Sequence, residues 1–157
     1  MSPDTTDRLL RRAIALAAGS RAAGQHPFAA LLVDQDGKVL LEQGNGFHPH
    51  GDGTGHAERL IATRACVEFS PGIRVAATLV SSAEPCAMCA GAIYWAGIGR
   101  VVYGLSEHRL KALIGPHPEN LTLDLPCRQV FAAGQRRIDV VGPLLEDEAE
   151  APHRGFW

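Results

Sequence analysis

The sequence lacks the features that would place the protein in a membrane or on nucleic acid. No apolar run is long enough for a membrane span, and Arg11 and Arg12 interrupt the N-terminal stretch that a secretion signal would need. The 15 lysines and arginines are outnumbered by 17 aspartates and glutamates, so no strongly basic surface is indicated. We therefore expect a cytoplasmic protein with no membrane partner and no nucleic-acid partner.

Cysteine is also scarce, and its spacing is informative. The four cysteines are Cys66, Cys86, Cys89 and Cys127. In a cytoplasmic chain, a close pair such as Cys86 and Cys89 indicates metal or redox chemistry and not a disulfide framework. Cys66 lies in an apolar helical stretch and is interpreted as a core residue. No role is assigned to Cys127.

Internal repeats and low-complexity segments are absent, and 157 residues with 46% hydrophobic content suit one domain spanning 1–157. Apolar periodicity predicts an opening helix that ends near 19–24 and later helices at 56–67 and 86–96. Strands are predicted at 28–33, 39–42, 75–81, 100–103 and 138–141. The first two strands flank an Asp-Gly turn that is typical of a hairpin. Alternating strands and helices predict an α/β domain whose later sheet is largely parallel.

Two short segments carry the chemistry. The first is His56-Ala57-Glu58 and the second is Glu84-Pro85-Cys86-Ala87-Met88-Cys89. Each follows a loop and opens a predicted helix. Zinc is bound by imidazole and thiolate, and catalytic zinc sites have three protein ligands with one position left for water. We therefore predict a catalytic zinc held by His56, Cys86 and Cys89.

Glu58 follows the predicted histidine ligand by two residues, on the first turn of the same helix. A carboxylate there lies close to the metal without binding it, and it can carry protons during catalysis. Two other interpretations remain open. The cysteine pair could be a redox pair, which would leave the His-Ala-Glu segment unexplained. The zinc could also be structural in a non-catalytic interaction module, which would need no carboxylate at Glu58.

These segments resemble the cytidine deaminase superfamily, whose signature is H-x-E followed by P-C-x-x-C. The resemblance extends from about Thr5 to about Tyr103. It implies a three-layer α/β/α fold around a mixed five-stranded sheet and one Zn²⁺ per chain. It also implies hydrolytic deamination of a nucleobase or nucleoside, with His56, Cys86 and Cys89 as ligands and Glu58 as the acid and base. Many members form dimers, so a homodimer is expected.

Two branches of the superfamily are similar to this chain. Guanine deaminases resemble it at Pro27-Phe28, at Asn45 and along 84–96, whereas the transfer-RNA adenosine deaminases share 89–92 and 98–102. By the first resemblance, a guanine-type base is the expected substrate. Transfer-RNA adenosine, cytosine or cytidine, and other aminopurines or triazines remain alternatives.

The predicted substrate-binding residues are Phe28, Asn45, Ala57 and Trp95. Phe28 and Trp95 would flank a base, and the Asn45 amide would contact its edge, although these residues could instead serve the core or cap a loop. Acidic residues in the tail, 146–157, are expected to repel phosphate. The tail ends in Phe156 and Trp157, which we expect to cover the active site as a lid.

Overall fold

The computed structural model describes every residue from Met1 to Trp157, with a five-stranded sheet between layers of helices. In chain order the elements are α1 (Pro3–Ala22), β1 (Ala29–Val33), β2 (Val39–Gly44), α2 (Ala57–Glu68), α3 (Pro71–Ala76), β3 (Thr78–Ala83), α4 (Ala87–Ala96), β4 (Arg100–Leu105), α5 (Glu107–Ile114), α6 (Cys127–Ala132), β5 (Asp139–Val141), α7 (Glu146–Glu150) and a 3₁₀ helix (Ala151–His153). The predicted mixed α/β fold is confirmed. None of the helices combines the length and the apolar character that crossing a membrane requires.

The sheet has the strand order β2-β1-β3-β4-β5. β1 is antiparallel to both β2 and β3, whereas β3, β4 and β5 are parallel. The predicted hairpin therefore forms, and so does the parallel half of the sheet. Because β1 runs opposite to β3, its first residues lie beside the carboxyl ends of β3 and β4. In parallel sheets, that edge is where ligands bind.

The two faces of the sheet pack against different helices. On β1, Ala30 and Leu32 pack in the cluster that contains residues of α2 and α4. Leu31 and Val33 pack in the cluster that contains Leu9 of α1. Successive side chains of a strand point to opposite faces, so this fully buried strand separates the two helical layers.

The starts of α2 and α4 differ from that of α1. Ser2 caps α1, and its side chain accepts a hydrogen bond from the Thr5 N–H at 3.2 Å. The residues in the same position before α2 and α4 are His56 and Cys86, and neither side chain makes a capping hydrogen bond. Their imidazole and thiol are therefore free to bind a ligand, close to the positive end of each helix.

Two predictions about the fold need correction, and one region had no prediction. The strand predicted at 75–81 begins at Thr78, because Pro71 opens the short helix α3 and proline favours the first helical turn. Cys66 is exposed and not part of the core, because it lies just beyond the buried stripe of α2. The part of the chain between β4 and β5 had no predicted structure, but it contains α5 and α6.

Candidate active site

His56, Cys86 and Cys89 meet at the starts of α2 and α4. The His56 Nδ1 atom lies 3.6 Å from the Cys86 Sγ atom and 3.5 Å from the Cys89 Sγ atom. The donor atoms of all three residues lie within 4.8 Å of one another. The structure therefore brings together the three residues predicted to bind the metal, although 30 residues separate His56 from Cys86 in the chain.

These separations suit zinc. A tetrahedral ion about 2.3 Å from sulfur and about 2.0–2.1 Å from nitrogen holds those two atoms about 3.6 Å apart. The two thiols also interact directly, since a hydrogen bond from Cys89 lowers the pKa of the Cys86 thiol, while the same bond and burial raise that of Cys89. One thiolate is thus already favoured, and zinc would deprotonate the other sulfur on binding.

Glu58 lies beside the three donor atoms and is buried, with 4% of its surface exposed. The Ser81 hydroxyl donates a hydrogen bond to Glu58 Oε1 at 2.7 Å. The other carboxylate oxygen, Oε2, lies 3.8 Å from the Cys89 Sγ atom. Burial raises the pKa of this carboxyl group. One oxygen is therefore fixed by the sheet, while the other is directed toward the metal site.

A cavity of about 230 Å³ opens onto His56 and Cys86. Its walls include Phe28 and Asn45, as predicted, and also Phe47 and Glu119. A smaller hollow beside it reaches Glu58 and Glu84. Neither hollow is lined by lysine or arginine.

Asn45 and Ala57 contribute to this region in different ways. The Asn45 side chain is 7% exposed, and its Oδ1 accepts a hydrogen bond from the Phe47 N–H at 2.9 Å. Asn45 therefore caps this loop through its Oδ1 atom, and its amide NH₂ group remains available to a ligand. The Ala57 side chain packs in the core. As the first residue of α2, Ala57 has an N–H group with no intrahelical acceptor.

Trp95 does not reach the cavity, contrary to the prediction that it flanks the substrate. It is 85% exposed, and its ring lies edge-on to Tyr94 at 5.5 Å between centroids. Trp95 follows Cys89 by six residues, which corresponds to about 9 Å along the helix and a rotation of about 240°. The helix that presents Cys89 to the site therefore directs Trp95 away from it.

The C-terminal residues do lie beside the cavity. The Trp157 ring centroid is 5.2 Å from that of His26 and 6.0 Å from that of Phe28, and both of these residues line the cavity. Trp157 Nε1–H donates a hydrogen bond to His153 Nδ1 at 3.2 Å. Arg21 of α1 holds the segment through hydrogen bonds to the carbonyl oxygens of Pro152 and Arg154 at 2.8 Å and 2.7 Å.

The acidic residues of the tail do not act as predicted. Arg109 pairs with Asp147 at 2.7 Å and with Glu150 at 2.6 Å, and Arg11 pairs with Glu148 at 3.0 Å. None of these acids lines the cavity. Because each is paired with an arginine away from the site, the tail gives no reason to expect repulsion of phosphate there.

Sequence reasoning assigned no role to two further glutamates of the site. Glu84 accepts hydrogen bonds from the N–H groups of Glu107 at 3.1 Å and Cys127 at 2.9 Å, so it ties β3 to α5 and α6. Glu107 lines both hollows and is 4% exposed, and burial raises the pKa of its carboxyl group to about 9. The acidic residue that opens α5 was the available signal, but the helix itself was not predicted.

An imidazole, two thiols and a buried carboxylate at the edge of a mixed α/β sheet define a zinc-dependent hydrolytic deaminase. Residues 3–105 match the family model of the cytidine and deoxycytidylate deaminase zinc-binding region. The chain belongs to this family, the cytidine deaminase superfamily, and it is an enzyme that hydrolyses C–N bonds.

Relatives with three different substrates are similar to the chain. A probable cytosine deaminase of Schizosaccharomyces pombe is 43% identical over 94% of this chain and 90% of its own length. A transfer-RNA-specific adenosine deaminase of Haemophilus influenzae is 36% identical over 68% of this chain and 62% of its own length. The solved guanine deaminase of Nitrosomonas europaea is 27% identical, with a TM-score of 0.70 over 93% of this chain and 81% of that one.

Proposed function

We propose that the protein deaminates a free nucleobase, using zinc held by His56, Cys86 and Cys89. The observation that carries this proposal is the size and lining of the cavity beside these residues. Its volume of about 230 Å³ is below the roughly 300–1,000 Å³ of common ligand pockets. A single ring system suits that space better than a nucleotide or an RNA loop.

The charge of the walls supports the same substrate class. Asp52, Glu107 and Glu119 line the cavity, and no lysine or arginine does. Phosphate groups are bound by cationic side chains and backbone N–H groups. An acidic lining favours a ligand that carries N–H donors and no phosphate, and this disfavours transfer RNA at the site.

The reaction replaces a ring C–NH₂ group with C=O, consumes water and releases ammonia. Zinc, when bound, activates water for attack near neutral pH. At the oxygen that Ser81 leaves free, Glu58 takes one proton from the attacking water and passes it to the ring nitrogen. It then takes the second proton, from the hydroxyl group added to the ring carbon, and passes it to the departing amino group, which leaves as ammonia. Phe28 packs against the ring, while the Asn45 amide and the Ala57 N–H bind its polar edge.

The C-terminal segment acts as a lid in this proposal. Trp157 packs on Phe28 and His26, which line the cavity, and Arg21 anchors the segment to α1. Covering the cavity in this way excludes bulk water from the bound base. Residues 146–157 therefore belong functionally to the active site.

Guanine-type purines and cytosine are the two candidate bases. Guanine is supported by the resemblance at Phe28 and Asn45 and by the guanine deaminase structure, but Trp95 no longer contributes to this argument. Cytosine is supported by the probable cytosine deaminase, whose similarity extends over 94% of this chain and therefore includes part of the segment after β4.

We also propose that the protein is a homodimer. Two large apolar side chains, Trp95 on α4 and Val67 on α2, are 85% and 82% exposed. Exposed aromatic side chains of this kind are enriched at protein interfaces. A second copy of the chain is the partner that the family resemblance implies.

Ammonia release from a panel of substrates tests the substrate class. The panel comprises guanine, cytosine, adenine, guanosine, cytidine and an anticodon-loop RNA, each supplied to the zinc-loaded protein. We expect a free base to release ammonia fastest. Faster conversion of anticodon-loop adenosine to inosine would refute the proposed substrate class.

A further inference from the structure

Glu107 is a buried acid at the active-site cavity with no partner in the protein. It is the first residue of α5, two residues after the end of β4, at the sheet edge where the metal-binding segments also meet. Its side chain is 4% exposed and lines both hollows, together with His56, Cys86 and Phe28.

The other two buried glutamates of the site have hydrogen-bond donors. Glu58 receives the Ser81 hydroxyl at 2.7 Å, and Glu84 receives two backbone N–H groups. Glu107 contributes only its backbone N–H to this network, and its carboxyl group forms no hydrogen bond or ion pair with the protein. Because both hollows reach this carboxyl group, a ligand in the cavity is placed to supply the hydrogen-bond partner that the protein does not.

We propose that Glu107 determines substrate specificity by accepting a hydrogen bond from a ring N–H or amino group of the bound base. This inference rests on the proposed function, because it places the base in the cavity that Glu107 lines. Aminated nucleobases carry N–H donors in the plane of the ring, and the carbonyl oxygen of a carboxyl group accepts such donors.

The proposed role of Glu107 differs from that of Glu58. Glu58 lies 3.8 Å from a thiol of the metal site and carries protons, whereas Glu107 is placed to hold the ring. Loss of Glu107 is therefore expected to weaken binding of the base. It is not expected to release zinc, and replacing an unpaired buried acid by an apolar side chain of similar size is neutral or stabilising.

The experiment measures binding of a base without turnover. The wild-type protein is first used to find which panel base releases ammonia. Calorimetric titration of that base then compares the single variant Glu58→Gln with two double variants, in which Glu58→Gln is combined with Glu107→Leu or with Glu107→Gln. The control is Glu148→Gln, because Glu148 is an exposed acid that pairs with Arg11 outside the cavity. Zinc content and melting temperature are measured for every variant.

We expect Glu107→Leu to raise the dissociation constant about 10- to 100-fold, because an N–H donor of the buried base would lose its hydrogen-bond acceptor. Glu107→Gln should have a smaller effect because it keeps an acceptor. The melting temperature should not fall, and one zinc per chain should remain. An unchanged dissociation constant would overturn the proposal, and so would a weakening that is matched by loss of zinc or of stability in both variants. If no base is bound or deaminated by the wild-type protein, the proposed function itself fails.

Discussion

Stability between pH 7 and pH 5 should depend on His153. This side chain is 1% exposed, and its ring packs on Phe28 at 4.9 Å between centroids. Its Nδ1 accepts the Trp157 N–H, while its Nε2 atom is buried without a partner. Burial lowers the pKa of His153 to about 4, against opposing attraction from Glu150.

The direction of this pH dependence follows from proton binding by the folded and unfolded chains. Between pH 6.5 and 4 the unfolded chain binds a proton at His153 and the folded chain does not, so the free energy of unfolding rises with pH. The contribution is complete above about pH 6.5 and is lost progressively as the pH falls to about 4. The difference between the pKa of about 6.5 in the unfolded chain and about 4 in the folded chain corresponds to about 3.5 kcal/mol at about 1.4 kcal/mol per pH unit. Of this contribution to the free energy of unfolding, about 2 kcal/mol is lost by pH 5.

Urea unfolding at pH 7 and pH 5 measures this loss, with His153→Gln as the matched control. Glutamine still offers an acceptor to Trp157, but it does not titrate. The free energy of unfolding of the wild-type protein should fall by about 2 kcal/mol more than that of the variant over this interval. Equal pH dependence in the two proteins would refute the buried, neutral state of His153.

Three further results are expected. Changing Cys86 and Cys89 together to serine should reduce the zinc content, measured by elemental analysis, from about one per chain to near zero. The melting temperature should also fall, because metal binding is coupled to folding. Full retention of zinc would exclude these two residues as ligands. Deleting residues 153–157 should greatly reduce ammonia release while zinc remains bound, because the cavity loses its cover. Unchanged activity would exclude a lid role for this segment. Trp95→Ala should leave turnover per site unchanged in a stable variant, because Trp95 lies outside the cavity. The same change should weaken self-association in sedimentation experiments, and a dimer that it does not affect would remove the basis for that interface.

Much of the architecture could be predicted because it follows from local patterns. Hydrophobic periodicity located α1, α2 and α4, and the Asp-Gly turn located the hairpin. The start of β3 was predicted too early, because Val75 and Ala76 are apolar in either conformation and only the proline at 71 distinguishes the helix.

The metal site was predictable for a different reason. His56 and Cys86 directly precede helices, where a histidine and a cysteine replace the usual capping residues. The prediction for Trp95 failed because it followed the family resemblance, although the spacing of six residues from Cys89 places Trp95 on another face of α4. Spacing could not reveal that Arg109 pairs with Asp147 and Glu150, because those contacts join segments about 40 residues apart.

Glu58→Gln, compared with the wild-type protein, tests the central claim most directly. Glutamine keeps the size of the side chain and its contact with Ser81, but it cannot carry the proton. Elemental analysis should still find about one zinc per chain, while turnover of the preferred base falls by a factor of about 10² to 10⁴. Near-normal ammonia release from the zinc-loaded variant would contradict the assignment of Glu58 as the group that carries protons at a zinc-dependent deaminase site.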